Sequence, residues 1–270
     1  MKDIFNFKRF GAYFVYDLRN AWKSSGLSAI VIGLLPLLFY GFQTLVSSFV
    51  LSVSADPISQ QALNLGFASI AFFCWFFLIM LVFPARTYGF VTDRKAGSLF
   101  LLLPASHFEK VLSMILIAGI IVPVLSGAIF VGCESLLCLI PSHGPGLLAS
   151  YSNLMNETGL QMDFSPFIGV YILSFFANML LFTLGSIYFK KSKAAKTLLV
   201  SMAISVVSYK IFGTYYDGPL QIATTASSED ILNQASSLLN SSVAGTYIYN
   251  CVLSVLFIVG IFFRIKTLKH

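Results

Sequence analysis

Six long, mostly apolar stretches of the chain carry almost no charged residue: Leu27 to Val53, Leu65 to Pro84, Val111 to Ile140, Phe167 to Phe189, Thr197 to Gly213 and Thr246 to Phe263. None alternates strictly, as the roughly 10-residue strands of a membrane barrel would. Runs this long and apolar predict helices, because backbone amides in hydrocarbon must be paired within their own segment. Pro36 and Pro123 should kink their helices. The third run, straight, would be about 45 Å long, so it must tilt, break near Pro123 or project beyond a bilayer.

The polar residues between the runs divide into two kinds. Lys2, Lys8, Arg9, Arg19 and Lys23 precede the first run; Arg86, Arg94, Lys95 and Lys110 separate the second from the third. Lys190, Lys191, Lys193 and Lys196 separate the fourth from the fifth, and Arg264, Lys266 and Lys269 close the chain. The alternate gaps hold Asp56, Glu157, Asp163, Asp217, Glu229 and Asp230 and no basic residue. Every Lys and Arg of the 17 except Lys210 therefore lies on one side. This is the positive-inside pattern. It predicts an all-α polytopic protein of the cytoplasmic (inner) membrane, with six spans and both termini in the cytoplasm.

Composition fits that picture: 57% of the 270 residues are hydrophobic and only 10% charged, too little polar surface to cover a water-soluble domain. The net charge of +6 is then a topological signal and an attraction to anionic headgroups, and nucleic acid is not expected as a partner. The first run exceeds a signal-peptide core and no small-residue cleavage site follows, so it is expected to be retained as a span. Cys74, Cys133, Cys138 and Cys251 all fall within spans without a neighbouring histidine, which favours packing over metal binding.

Residues 1–26 form a cytoplasmic segment of their own. On a helix, Phe7, Phe10, Phe14, Val15, Leu18, Ala21 and Trp22 share one arc, and Lys8, Arg9, Asp17, Arg19, Asn20 and Lys23 the other. An amphipathic helix of this kind lies in the cytoplasmic interface; the alternative is a cytoplasmic helix packed on the bundle. Ser24, Ser25 and Gly26 lead it into the 27–263 membrane domain, and 264–270 form a cytoplasmic tail.

The cytoplasmic loop 85–110 is the other informative segment. Thr92-Asp93-Arg94-Lys95-Ala96-Gly97-Ser98 is followed by the apolar Leu99 to Leu103, then by Pro104-Ala105-Ser106-His107-Phe108-Glu109-Lys110. Five apolar residues in a basic loop need a cover, whether membrane, bundle or partner. Ser106 with Glu109 three residues later predicts a helix start, so the loop should be two short helices joined by a proline turn.

A charged cluster, Gly-Ser, a leucine run, Pro-Ala-Ser and Glu-Lys entering the third span resembles the permease subunit of ABC-2-type transporters. The likeness extends to the interfacial amino-terminal helix, the six spans and a sizeable outer segment, 214–245, before the last one. Asp93 stands in for the family's acidic residue, and Ser98 replaces its Thr. The resemblance implies an ATP-driven transporter, an exporter of a lipidic, glycan or amphiphilic substrate, built from two permease copies (a second copy of this chain or a related permease) and a separate cytoplasmic ABC ATPase subunit that holds ATP and Mg. The coupling surface it implies comprises Asp93, Arg94, Lys95, Gly97, Leu101, Pro104, Ser106, Phe108, Glu109 and Lys110. No phosphate loop or dinucleotide fingerprint occurs in the chain, so no cofactor is expected in it.

Enzymatic chemistry is not expected either. His107, His143 and His270 all lie outside the spans, and no metalloprotease helix or nucleophile elbow is present. Within the spans, Glu134 and Lys210 are the ionisable residues at similar outer depths. They are candidates for an outer gate or ion pair or for contact with a charged headgroup; the plainer alternative is that Lys210 snorkels and Glu134 is protonated or wetted. Ser228 before Ile231, Leu232, Ala235, Leu238 and Leu239 predicts a short amphipathic helix over Asp230 to Leu239, and the resemblance implies that it dips into the outer leaflet. Small residues, Gly119, Ser126 and Gly127 in the third span and Gly185 and Ser186 in the fourth, suit close helix contacts. Against the transporter stands a different class of function: a non-transporting six-span assembly, anchoring or immunity protein. An uncoupled channel is a third.

Overall fold

A computed structural model describes residues 5–50, 57–93, 97, 100, 102–140, 165–222 and 228–267, with side chains at 5–49, 64–93, 97, 100, 102–140, 168–208 and 243–267. Among the described residues every regular element is helical. The α-helices are α1 (Phe7–Ala21), α2 (Leu27–Gly33), α3 (Leu35–Val50), α4 (Pro57–Thr87), α5 (His107–Leu116), α6 (Val122–Leu137), α7 (Ser165–Tyr188), α8 (Lys193–Ile222) and α9 (Ser228–Thr267). Five stretches are long and apolar enough to cross a membrane: Phe7–Phe49, Asn64–Thr87, His107–Leu137, Ile168–Tyr188 and Val243–Thr267. The sixth expected span falls in α8, whose side chains are described only to residue 208. The chain is an all-α membrane protein.

The contacts gather into two units. One contains α1 to α4 and α6. Asn6 caps α1, its side-chain oxygen accepting from the Lys8 amide at 3.0 Å and the Arg9 amide at 3.5 Å. No sequence break separates α1 from the first span; a π turn, Trp22–Gly26, carries the helix through, and Trp22 folds over Gly26 where a Cβ would come within 2.8 Å of the indole. At Leu34 the helix does break, just ahead of Pro36, whose ring and missing amide oppose a continuous ladder. The third span solves the same problem differently. A π turn, Ile117–Ile121, widens the helix immediately before Pro123.

Close crossing in this unit depends on Gly33. A Cβ there would lie 2.9 Å from Ile129 and 3.0 Å from the Ser126 carbonyl, so α2 and α6 meet backbone to side chain. Where α1 passes into the first span, Ser25 Oγ and Thr87 Oγ1 share a hydrogen bond of 2.5 Å, and the Ser24 hydroxyl donates to the Arg86 carbonyl at 3.0 Å. These bonds tie the base of the first span to the end of the second.

The other unit contains Phe5, residues 88–115 and α7 to α9. Here α7 is the central helix, packed on α9, on α8 and on a short 3-10 helix, Gly89–Thr92. Gly185 of α7 sits directly against Thr197 of α8, whose Cβ would be 2.7 Å from any Cβ at that position. Of the small residues picked out in the fourth span, Gly185 thus makes a close helix contact, and Ser186 is buried with its hydroxyl donating to the Thr183 carbonyl at 2.7 Å.

One expectation changes. The helix over Asp230 to Leu239 is not a separate short element but the beginning of α9, which runs 40 residues without interruption, about 60 Å. Likewise α8 continues past Gly213 to Ile222. A Ser cap and a following periodicity mark where a helix starts; they do not mark where it ends, and Gly245 does not stop α9.

Side chains are distributed as a lipid solvent demands. Leu38, Phe73, Val124, Ile172 and Val255 are exposed, whereas Thr183, Ser186, Ser126, Asn250 and Ser254 are buried. The buried hydroxyls return to their own helices: Thr183 to the Met179 carbonyl, Ser254 to that of Asn250. Hydroxyls satisfied this way occupy little volume and let helices approach, which is what drives packing where apolar burial against lipid contributes little.

Candidate functional site

The loop between the second and third spans is held at both ends. It begins with Tyr88, fully buried, and the 3-10 turn that rests on α7. Lys193, the first residue of α8, reaches back to this turn: its ammonium donates to the Gly89 carbonyl and lies 3.6 Å from the Asp93 carboxylate. A side chain at Gly89 would meet the Lys193 ammonium at 3.3 Å, so the missing Cβ is what admits the lysine. Asp93 remains 60% exposed beyond this contact.

After Asp93, the Gly97 amide donates to the Asp93 carbonyl at 2.8 Å and Gly97 is buried. Gly97, Phe100 and Leu102 have helical backbone, and the chain bends at Leu103, Pro104 and Ala105 before α5. Helical backbone thus stands at described residues on both sides of the proline bend. Arg94, Lys95 and Leu101 lie outside the described residues.

At the start of α5 the Ser106 amide donates to Glu109 Oε2 at 2.9 Å, and the Glu109 amide donates to Ser106 Oγ at 3.2 Å. This is a complete capping box, satisfying two amides that a helix start leaves open. Glu109 and Lys110 are both buried, at 0% and 1% exposure. The Lys110 ammonium donates to the Phe100 carbonyl at 2.9 Å and lies 5.0 Å from the Phe100 ring centroid. The loop's first piece is thus pinned to the third span by a lysine that spans the bend.

Burial divides the residues of the expected coupling surface. Ser106, Glu109 and Lys110 act inside the loop, while Leu102 (79% exposed), Phe108 (53% exposed), Pro104 and Asp93 lie open. Leu102, an interior member of the apolar run, is an open residue that the sequence pattern did not single out. Phe5 packs edge-on against Phe108 at 5.9 Å, bringing the residues just ahead of α1 to this surface.

Of the apolar arc expected on α1 and its end, Phe7, Val15 and Trp22 are exposed, Phe10, Phe14 and Leu18 are half-buried and Ala21 is buried; Tyr16, outside that arc, is exposed as well. The strip it buries is Tyr13, Asp17 and Ala21, spaced four apart. Asp17, expected on the polar arc, is at 3% exposure instead, because the i, i+4, i+8 row that faces the protein passes through it. The open arc of large apolar side chains beside Lys8, Arg9, Arg19 and Lys23 has the form of an interfacial helix.

Glu134 lies within the first unit described, beside a small pocket bordered by Pro36, Tyr40, Gln43, Phe67 and Ala71. Its Oε1 is buried without a hydrogen-bond partner, while nearby Gln43 donates to Asn64 Oδ1 at 2.5 Å. Lys210 falls in α8, but its side chain, and with it the suggested Glu134–Lys210 pair, lies outside the described residues. Among the described residues no group of three His, Cys, Asp or Glu side chains is placed to hold a metal ion, and the four cysteines are free thiols.

Comparison with known proteins adds no name to this geometry: no protein family, no curated protein and no solved structure matches the chain.

Proposed function

We propose that this chain is the transmembrane permease subunit of an ATP-driven transporter of the ABC-2 type, an exporter of a lipidic, glycan or amphiphilic substrate, paired with a second permease copy and powered by a separate cytoplasmic ATPase. The observation that carries the proposal is the loop 88–110. Its interior is anchored by the capping box and by Lys110 and Lys193, while its apolar residues Leu102 and Phe108 face outward. A loop built only to connect two spans has no reason to expose a rigidly mounted leucine and phenylalanine. A loop that receives force from a partner needs both a firm mount and an apolar contact surface.

The test is co-purification of the tagged chain from its native membrane, with ATP hydrolysis assayed on the eluate. Leu102→Ser with Phe108→Ser is the informative variant, since both side chains are open and neither holds the loop together. The expected result is a nucleotide-hydrolysing subunit that elutes with the intact chain and is lost with the variant. Absence of any such subunit, even after mild crosslinking, would leave the non-transporting anchoring protein as the better account.

A further inference from the structure

The turn joining α7 to α8 concentrates cations and aromatic rings at the cytoplasmic end of one unit. Tyr188 and Phe189 are consecutive and stand edge to face, their centroids 5.4 Å apart at 84°. Each carries a cation from a different helix. Arg264 of α9 lies 5.2 Å from the Tyr188 centroid, and Lys196 of α8 lies 5.8 Å from that of Phe189. Arg264 also donates to the Ile187 carbonyl at 3.5 Å, close to the C-terminus of α7. Lys190 and Lys191 occupy the turn itself, which Ser192 closes in a left-handed conformation, φ 52°.

The charges here are not balanced from within. Lys193 is engaged with Asp93 and the Gly89 carbonyl, and Glu109 is committed to its own helix cap. Among the residues of this unit whose side chains are described, those are the carboxylates. Lys190, Lys191 and Lys196 are exposed, and Tyr188, 59% exposed, presents a ring of interfacial character beside them. Ammonium groups at the water level next to open aromatic rings match the two halves of a phospholipid: phosphate for the cations, glycerol and upper acyl chain for the rings.

We infer that this turn is a binding site for an anionic phospholipid of the cytoplasmic leaflet, its phosphate held by Lys190, Lys191 and Lys196 and its glycerol region against Tyr188. The inference depends on the membrane character of the chain and not on its being a transporter. Bound lipid would bridge the ends of α7, α8 and α9, and would set the cytoplasmic ends of those helices with respect to the leaflet.

Native mass spectrometry of the purified full chain, titrated with dioleoyl phosphatidylglycerol or dioleoyl phosphatidylcholine, tests it. The intact chain should retain phosphatidylglycerol preferentially. Lys191→Gln and Lys196→Gln should each lower that preference about three- to fivefold, and the pair together more than tenfold. Each single variant leaves three lysines in the loop, enough to keep the orientation of the spans. Lys8→Gln with Lys23→Gln, matched in charge but on α1 and the π turn that follows it, should leave the preference within twofold, and millimolar inorganic phosphate should not displace the lipid. Equal loss in that amino-terminal variant would mean diffuse attraction and would overturn the site, as would displacement by free phosphate. Undiminished lipid preference in the Lys191 and Lys196 variants, with loss of a co-purifying soluble protein, would assign the turn to a protein partner instead.

Discussion

Ser106 and Glu109 hold each other reciprocally: the backbone amide of each donates to the side chain of the other, at 2.9 and 3.2 Å. Glu109 is buried, so its carboxylate serves the helix start and is not available to a partner protein. Ser106→Ala should destabilise the protein by about 1 kcal/mol, whereas Glu109→Gln, which keeps an acceptor oxygen, should cost less than Glu109→Ala. Thermal unfolding in detergent checks the order. Equal losses for Gln and Ala would mean that the charge, not the cap, is what matters.

Lys193→Met removes the ammonium that binds the Gly89 carbonyl and faces Asp93 while preserving most of the side chain's length. Because the contact joins residues 104 apart in sequence, its loss should loosen the start of the loop more than the spans. Limited trypsin digestion at Arg94 and Lys95 should accelerate severalfold in the variant, with cleavage at Lys266 unchanged. Unaltered digestion would show that the packing of Tyr88 and the 3-10 turn holds the loop without the lysine.

The contact between Gly185 and Thr197 leaves no room for a methyl group. Gly185→Ala should therefore destabilise by about 1–3 kcal/mol, the range for forcing atoms into a packed interior. Thr197→Gly in the same chain removes the opposing Cβ and should restore part of the loss. A Gly185→Ala protein with unchanged melting temperature would mean that α7 and α8 separate without penalty.

Glu134 presents a buried carboxylate oxygen with no partner beside a small pocket that Tyr40 and Gln43 help to line. Glu134→Gln keeps the shape, so it should raise the melting temperature in detergent if the residue's role is only structural, because a buried carboxylate oxygen without a hydrogen bond is costly. A stabilised variant with lost transport would identify the carboxylate as functional. A destabilised variant would indicate that the charge is compensated in the membrane.

Much of the fold was legible because lipid imposes its demands locally. A run such as Val111 to Ile140 must be helical whatever its neighbours, and the placement of Lys190, Lys191 and Arg264 predicts an orientation without reference to packing. The capping box at Ser106 was legible for the same reason, since its partners are three residues apart. The lengths of α8 and α9 were not: a segment rich in Ser, Thr and Ala supports either a short helix or the continuation of a long one, and the apolar pattern alone does not distinguish them.

Around the loop 85–110, the residue types predict which side each lysine occupies and say nothing of what it touches. Lys110 and Lys193 count equally as topological charge in the sequence, yet one is buried on Phe100 and the other reaches Gly89. Asp17 looks like its charged neighbours on α1 and is buried, while Leu102 looks like its apolar neighbours and is exposed. Membrane insertion responds to the sum of apolar and charged residues along a segment, which the chain carries in order. Hydrogen bonds and burial require atoms within a few ångströms of each other, and across 104 residues that proximity exists only once the helices have packed.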